Sequence, residues 1–184
     1  MSQSAHDSGM PLPLIVAGAE IGPKPVVHQM AQEKAIRPLF YDHYLIGMLP
    51  STPELRAHAG AYFAPRGAVL SLRTAAWVYL GGLPPKHVSV TMEPGTSPVG
   101  RKWDVRAVRT SISAKSVRFV DGVAVTSPEQ TVADLARLES AEIAVPVIQE
   151  LKGFGVDLRT AVRMVPDAQR NGHHARDLIR ALTK

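Results

Sequence analysis

The stretch Val117-Arg118-Phe119-Val120-Asp121-Gly122-Val123-Ala124-Val125-Thr126-Ser127-Pro128-Glu129-Gln130-Thr131-Val132-Ala133-Asp134-Leu135-Ala136 changes its periodicity halfway along. Up to Thr126 it is rich in β-branched and aromatic residues and alternates with period two, the pattern of strands. Asp121-Gly122 breaks it in the middle. That pair tolerates the positive φ required at both centres of a type I′ turn, so the spacing predicts a two-residue hairpin. From Ser127 the period becomes 3.6. Ser127 offers a capping hydroxyl, Pro128 suits the first helical position, and Gln130 is placed to reach back as the third residue of a capping box. Val132, Leu135, Ala136 and Leu138 then form one apolar stripe.

Working outward, two further segments alternate with period two, residues 87–92 and 103–110, so the sheet is read as a meander ending in the 117–126 hairpin. Between them, Pro94-Gly95-Thr96-Ser97-Pro98-Val99-Gly100 has no helical option and reads as a loop running into Arg101-Lys102. Upstream, Thr52-Pro53-Glu54 starts a helix to about Phe63. Ser71 starts another to Leu80, stopped by Gly81-Gly82 and Pro84-Pro85. Further back, residues 26–35 have room for a short helix and residues 39–46 favour a strand. Pro11, Pro13, Pro23 and Pro25 leave the tip partly extended. Downstream, helices are predicted over 141–152, with Pro146 inside, over 158–165 and over about 172–182. The fold class is α+β: a small antiparallel or mixed sheet, flanking helices and a C-terminal helical tail.

The 184 residues are 45% hydrophobic, 20% charged and 5% aromatic, the balance of a globular domain or two. No apolar run is long enough to span a bilayer. With no Cys there is no disulfide framework, Cys-based zinc site or thiol chemistry, and no secretory signal is recognisable, so the expected compartment is the cytoplasm. The usual catalytic constellations fail too: there is no Gly-x-Ser-x-Gly elbow, no phosphate loop and no His-Glu-x-x-His, and the seven histidines do not gather into a metal set. No cofactor or metal is expected.

Charge is distributed unevenly. Residues 61–127 hold nine basic residues against three acidic ones, whereas residues 1–60 hold four against five and residues 128–184 eight of each. The excess consists of Arg66, Arg73, Lys86, Arg101, Lys102, Arg106, Arg109, Lys115 and Arg118. Such a stretch is either a polyanion-facing surface, where each phosphate contact releases counterions, or a solvated basic sheet face.

At Val125-Thr126-Ser127-Pro128-Glu129-Gln130-Thr131-Val132-Ala133-Asp134-Leu135-Ala136, preceded by its Asp-Gly hairpin, the sequence resembles the antitoxins of AbiEi type, the regulators of type IV toxin-antitoxin systems. Residues 67–77 resemble the family's capped helix and Val88-Ser89-Val90-Thr91 its following strand. The signature reads physically as hairpin, cap and helical stripe, and carries no catalytic residue. The resemblance implies an antitoxin-like domain over 47–184, without a nuclease extension. It implies that residues 1–46 are a shortened winged-helix region, with 26–35 as its recognition helix and 39–46 as its wing strand; an arm packed on the domain is the other reading. Lys24, His28, Gln29, Gln32, Lys34 and Arg37 would then face DNA, together with the basic residues Lys86, Arg101, Lys102, Arg106, Arg109, Lys115 and Arg118. The implied function is a DNA-binding transcriptional regulator or antitoxin that acts by binding, not as an enzyme, with DNA and a nucleotidyltransferase-like toxin protein as partners. The alternative is a protein-interaction module that has lost DNA binding.

Overall fold

The computed structural model describes residues 14–95, 105–166 and 171–184. The chain divides into two compact units, Met1–Ser51 and Thr52–Lys184.

The first unit has strand β1 (Ile15–Ala17), a single helical turn α1 (Gly18–Ile21), helix α2 (Lys24–Gln32) and strands β2 (Ile36–Phe40) and β3 (His43–Ile46). Of the prolines that suggested an extended tip, Pro11 and Pro13 lie outside the described residues, and Pro23 and Pro25 do different work. Pro23 and Pro25 flank the first residue of α2, where a missing N–H costs nothing. Residues 39–46, read as one strand, are a hairpin: Tyr41 turns the chain at φ 48° and Phe40 pairs with His43. Local propensity cannot see that turn, because Tyr-Asp is a poor turn signal and its flanks are strongly β-forming. The sheet is antiparallel in the order β1-β3-β2, so Pro38 lies on an edge strand, where it removes no central ladder bond. Val27, Ile36, Leu39, Phe40 and Leu45 are buried. Residues 47–51 belong to this unit: the Gly47 N–H donates to the Ala35 carbonyl at 2.7 Å and the Arg37 guanidinium to the Leu49 carbonyl at 2.6 Å.

In the second unit, α3 (Pro53–Phe63) leads to β4 (Val69–Leu70), α4 (Leu72–Leu80), β5 (Val88–Met92), β6 (Val105–Arg109), a 3-10 turn (Ala114–Ser116), β7 (Val117–Val120) and β8 (Val123–Thr126). Four helices follow: α5 (Pro128–Leu138), α6 (Ala141–Gly153), α7 (Leu158–Met164) and α8 (Gly172–Thr183). The architecture is α+β. The sheet is mixed, in the order β6-β5-β4-β8-β7, and is not the meander suggested by strand spacing. β5 and β6 run parallel, and so do β4 and β8. The two-residue β4, too short to show a period, supplies the missing central strand: Leu70 pairs with Val90 on one side and Val125 on the other. Every residue of β5 is buried, so its alternation marks two covered faces and not one wet face.

The hairpin and the helix start lie where the periodicity put them. Asp121 and Gly122 take φ values of 46° and 78°. The Ser127 hydroxyl accepts the Gln130 N–H at 3.2 Å. The Gln130 side chain does not reach back, however; it donates to Asp134 Oδ1 at 3.0 Å. Behind the cap, Thr131 Oγ1 lies 2.9 Å from the Ser127 carbonyl and 2.7 Å from Thr126 Oγ1. The Tyr79 hydroxyl donates to the Thr126 carbonyl at 2.7 Å, and burial pushes that phenol up to about 12, so it remains a donor. The stripe of α5 joins α4, α6, α7 and α8 in one apolar cluster that includes Leu72, Leu135, Ile148, Leu151 and Ile179, each fully buried.

Candidate nucleic-acid interface

Helix α2 is short, buries only Val27, and turns Lys24, His28, Gln29 and Gln32 outward. Its side chains are held in register by their neighbours one turn away. Gln29 donates to Glu33 at 2.8 Å, and the Gln32 amide lies 3.0 Å from His28 Nε2. These are exposed pairs that a stronger partner can displace. α1 and α2 are joined by Gly22-Pro23 alone, with Gly22 at φ 143° closing the first turn. Gly18 lies close to the turn for another reason: its N–H donates to the Asp42 carbonyl at 2.7 Å, and a Cβ there would oblige the Asp42 carboxylate to turn aside. The approach ties the helical pair to the hairpin turn. Between them lies a groove of about 1040 Å³ lined by Gly18, Lys24, Val27, His28, Pro38 and Tyr44, among others. Lys34 follows the helix at φ 59° and is exposed. Arg37 is exposed too, but its guanidinium is engaged by the Leu49 carbonyl, which makes it a fastener of residues 47–51. Beneath the hairpin, His43 is buried, and burial lowers its pKa against the opposing pull of Asp42 and Glu20.

The basic residues of the second unit do not converge. Arg106 and Arg109 lie on edge strand β6, whereas Arg118 lies on β7, the opposite edge, and Lys115 in the turn before it. At about 4.8 Å per strand the two edges are about 19 Å apart. Arg106 and Arg109 are three positions apart, an odd spacing, so they also project from opposite faces. Arg106 bonds Glu139 and, at 3.0 Å, the Leu138 carbonyl, and thereby closes the C-terminal end of α5. Arg118 lies 4.0 Å from Glu129. Arg109 and Lys115 are exposed without an ion pair among the described residues, and Lys86 is exposed ahead of β5. Arg101 and Lys102, with Trp103 and all of their loop beyond Gly95, lie outside the described residues. A run of charge in sequence is thus dispersed by the strand order.

Two features escaped the sequence reading. Tyr62 on α3 and Phe119 on β7 are 65% and 74% exposed, and these two elements pack on one another. No periodicity marks them, since exposure of one aromatic on each element depends on what covers it. Asp134 and Arg137 are a nearly buried ion pair on α5, with Asp134 Oδ1 and Arg137 Nη2 3.3 Å apart. Their spacing with Gln130, at i, i+4 and i+7, was the available signal, since it places all three on one helical face.

Comparison with known proteins gives little beyond this geometry. No family model and no curated protein matches the chain. Among solved structures it is similar to the RV2827C protein from Mycobacterium tuberculosis, with 16% sequence identity, coverage of 94% of this chain and 73% of that chain, and a TM-score of 0.48.

Proposed function

We propose that the protein is a DNA-associated regulator or antitoxin of AbiEi-like type, acting by binding, with α2 as the element that reads duplex DNA. The observation that carries this reading is the outward row Lys24, His28, Gln29 and Gln32 on a helix that follows a turn and precedes a β-hairpin. A helix of nine residues is about 14 Å long and enters a major groove about 12 Å wide. Gln side chains suit adenine edges, and Lys24 at the helix start suits phosphate. In the second unit Arg109 and Lys115 are exposed and each by itself available to phosphate, whereas Arg106 is committed to α5. A nucleotidyltransferase-like toxin is the protein partner that the family resemblance implies.

Mobility shift with the protein's own upstream DNA, at two salt concentrations and with unrelated competitor, tests this. A competitor-resistant shift that is lost when Gln29 and Gln32 are both replaced by Ala supports reading by α2. A shift unchanged by that pair removes α2 from the interface. The exposed Tyr62 and Phe119 favour a second reading, a protein-interaction module, because exposed aromatics are enriched at interfaces. Absence of any shift at low salt, with a partner protein retained, selects it.

A further inference from the structure

Strand β7 is an edge of the five-stranded sheet and, among the described residues, pairs with β8 alone. The register fixes which of its backbone groups face outward. In a hairpin closed by the two-residue Asp121-Gly122 turn, Val120 and Val123 exchange both ladder bonds, and by alternation so do Arg118 and Val125. The Ser127 N–H, donated to the Ser116 carbonyl at 2.8 Å, continues that series. Phe119 falls between these pairs, so its N–H and carbonyl both turn away from β8 toward the open edge. Neither has a hydrogen-bond partner among the described residues, and the ring is 74% exposed. At Val117 the free edge ends, because its N–H is donated to the Ala114 carbonyl. Opposite charges stand at the two ends of the strand. Lys115 before it is exposed without an ion pair among the described residues, and Asp121 after it is exposed with His58 Nε2 at 2.9 Å.

We propose that this edge binds a second copy of the chain: two β7 strands pair antiparallel across a two-fold axis at Phe119, joining two five-stranded sheets into one. A residue beside the axis faces itself, so each Phe119 N–H donates to the other copy's Phe119 carbonyl. The two rings then stand on one face as a cross-strand aromatic pair. Charge complementarity selects a second copy over an unrelated strand. Read in reverse, the order Lys115, Phe119, Asp121 sets cation against anion, so the edge is its own complement. In this register Val117 stands opposite the other copy's Asp121, and Lys115, two positions further out, reaches that carboxylate. A parallel pairing would set Lys115 against Lys115 and Asp121 against Asp121. Arg118 stands opposite Val120, with Glu129 of its own chain 4.0 Å away. A four-residue strand makes a small contact, so the dimer is expected to be weak and reversible. Because the two-fold axis uses up the edge, assembly through it stops at two.

Sedimentation equilibrium of the full chain, from about 1 µM to about 1 mM, tests this. The expected result is a reversible monomer–dimer equilibrium. Phe119→Asp sets two carboxylates beside the axis and is expected to weaken dimerisation roughly tenfold or more, with circular dichroism unchanged because the ring is exposed. Lys115→Glu sets like charges together and is expected to weaken it about tenfold. Adding Asp121→Asn, which the turn accepts at φ 46°, recovers part of that loss. A chain that stays monomeric throughout overturns the proposal, and a separate polypeptide held through Phe119 then takes the edge instead. A dimer indifferent to Phe119→Asp or to Lys115→Glu overturns it as well. Phosphate and a second copy are alternative partners of Lys115; the measurement is made without DNA, so the dimer and the reading of DNA by α2 fail independently.

Discussion

At the scale of single residues, the hydroxyl of Thr131 shows how much a buried polar position can owe to structure alone. It is fully buried, lies within bonding distance of the Ser127 carbonyl, and accepts or donates with Thr126 Oγ1. Thr131→Val keeps the shape but strands the Thr126 hydroxyl and loses a bond to the end of the helix cap. We expect a loss of about 1–3 kcal/mol, read as a lower urea midpoint at unchanged slope. His43 makes a second residue-scale prediction. Burial is the largest influence on it and lowers its pKa below the ordinary 6.5. The unfolded chain therefore binds the proton more readily than the folded one. Stability is fully present above about pH 6.5 and falls as the pH drops from there toward the folded pKa. Melting across that window follows this directly, and His43→Gln should flatten the dependence; an unchanged profile would assign it to other groups.

At the scale of elements, the hairpin and the helix behind it were legible because their information is local. Asp121-Gly122 needs only its own dihedrals, and the Ser127 cap needs only the amides of the next turn. Gly122 sits at φ 78° with open space around a potential Cβ, so Gly122→Val is strained by its backbone and not by a clash. The expected cost is about 1 kcal/mol or more, seen as a lower melting temperature with the fold retained in circular dichroism. Other elements were not legible for an equally physical reason. The turn at Tyr41 lies inside a run of β-formers, and β4 has only two residues, so neither carries a period. The capping-box partner of Gln130, the Ser127 N–H, is already donated to the Ser116 carbonyl at 2.8 Å, and the Gln130 amide donates to Asp134 instead.

At the scale of the molecule, the strand order β6-β5-β4-β8-β7 decides what the charge can do. It sends Arg109 and Lys115 to opposite edges of the sheet, so their contributions to any polyanion contact are independent. Arg109→Ala and Lys115→Ala should each reduce the salt slope of DNA binding by about one if it touches phosphate, and the double variant by their sum. Arg106→Ala should chiefly lower stability, because it opens the end of α5. By itself the sequence determined the class of the fold, the hairpin, the caps at Thr52 and Ser127 and the run of apolar helices, since each follows from the residues within one or two turns of chain, whereas the Ser71 hydroxyl makes no cap bond. The central strand, the parallel pairings, the dispersal of the basic residues and the near-burial of the Asp134–Arg137 pair were decided only by the tertiary structure. They depend on which distant segments cover which faces, and local periodicity carries no record of that.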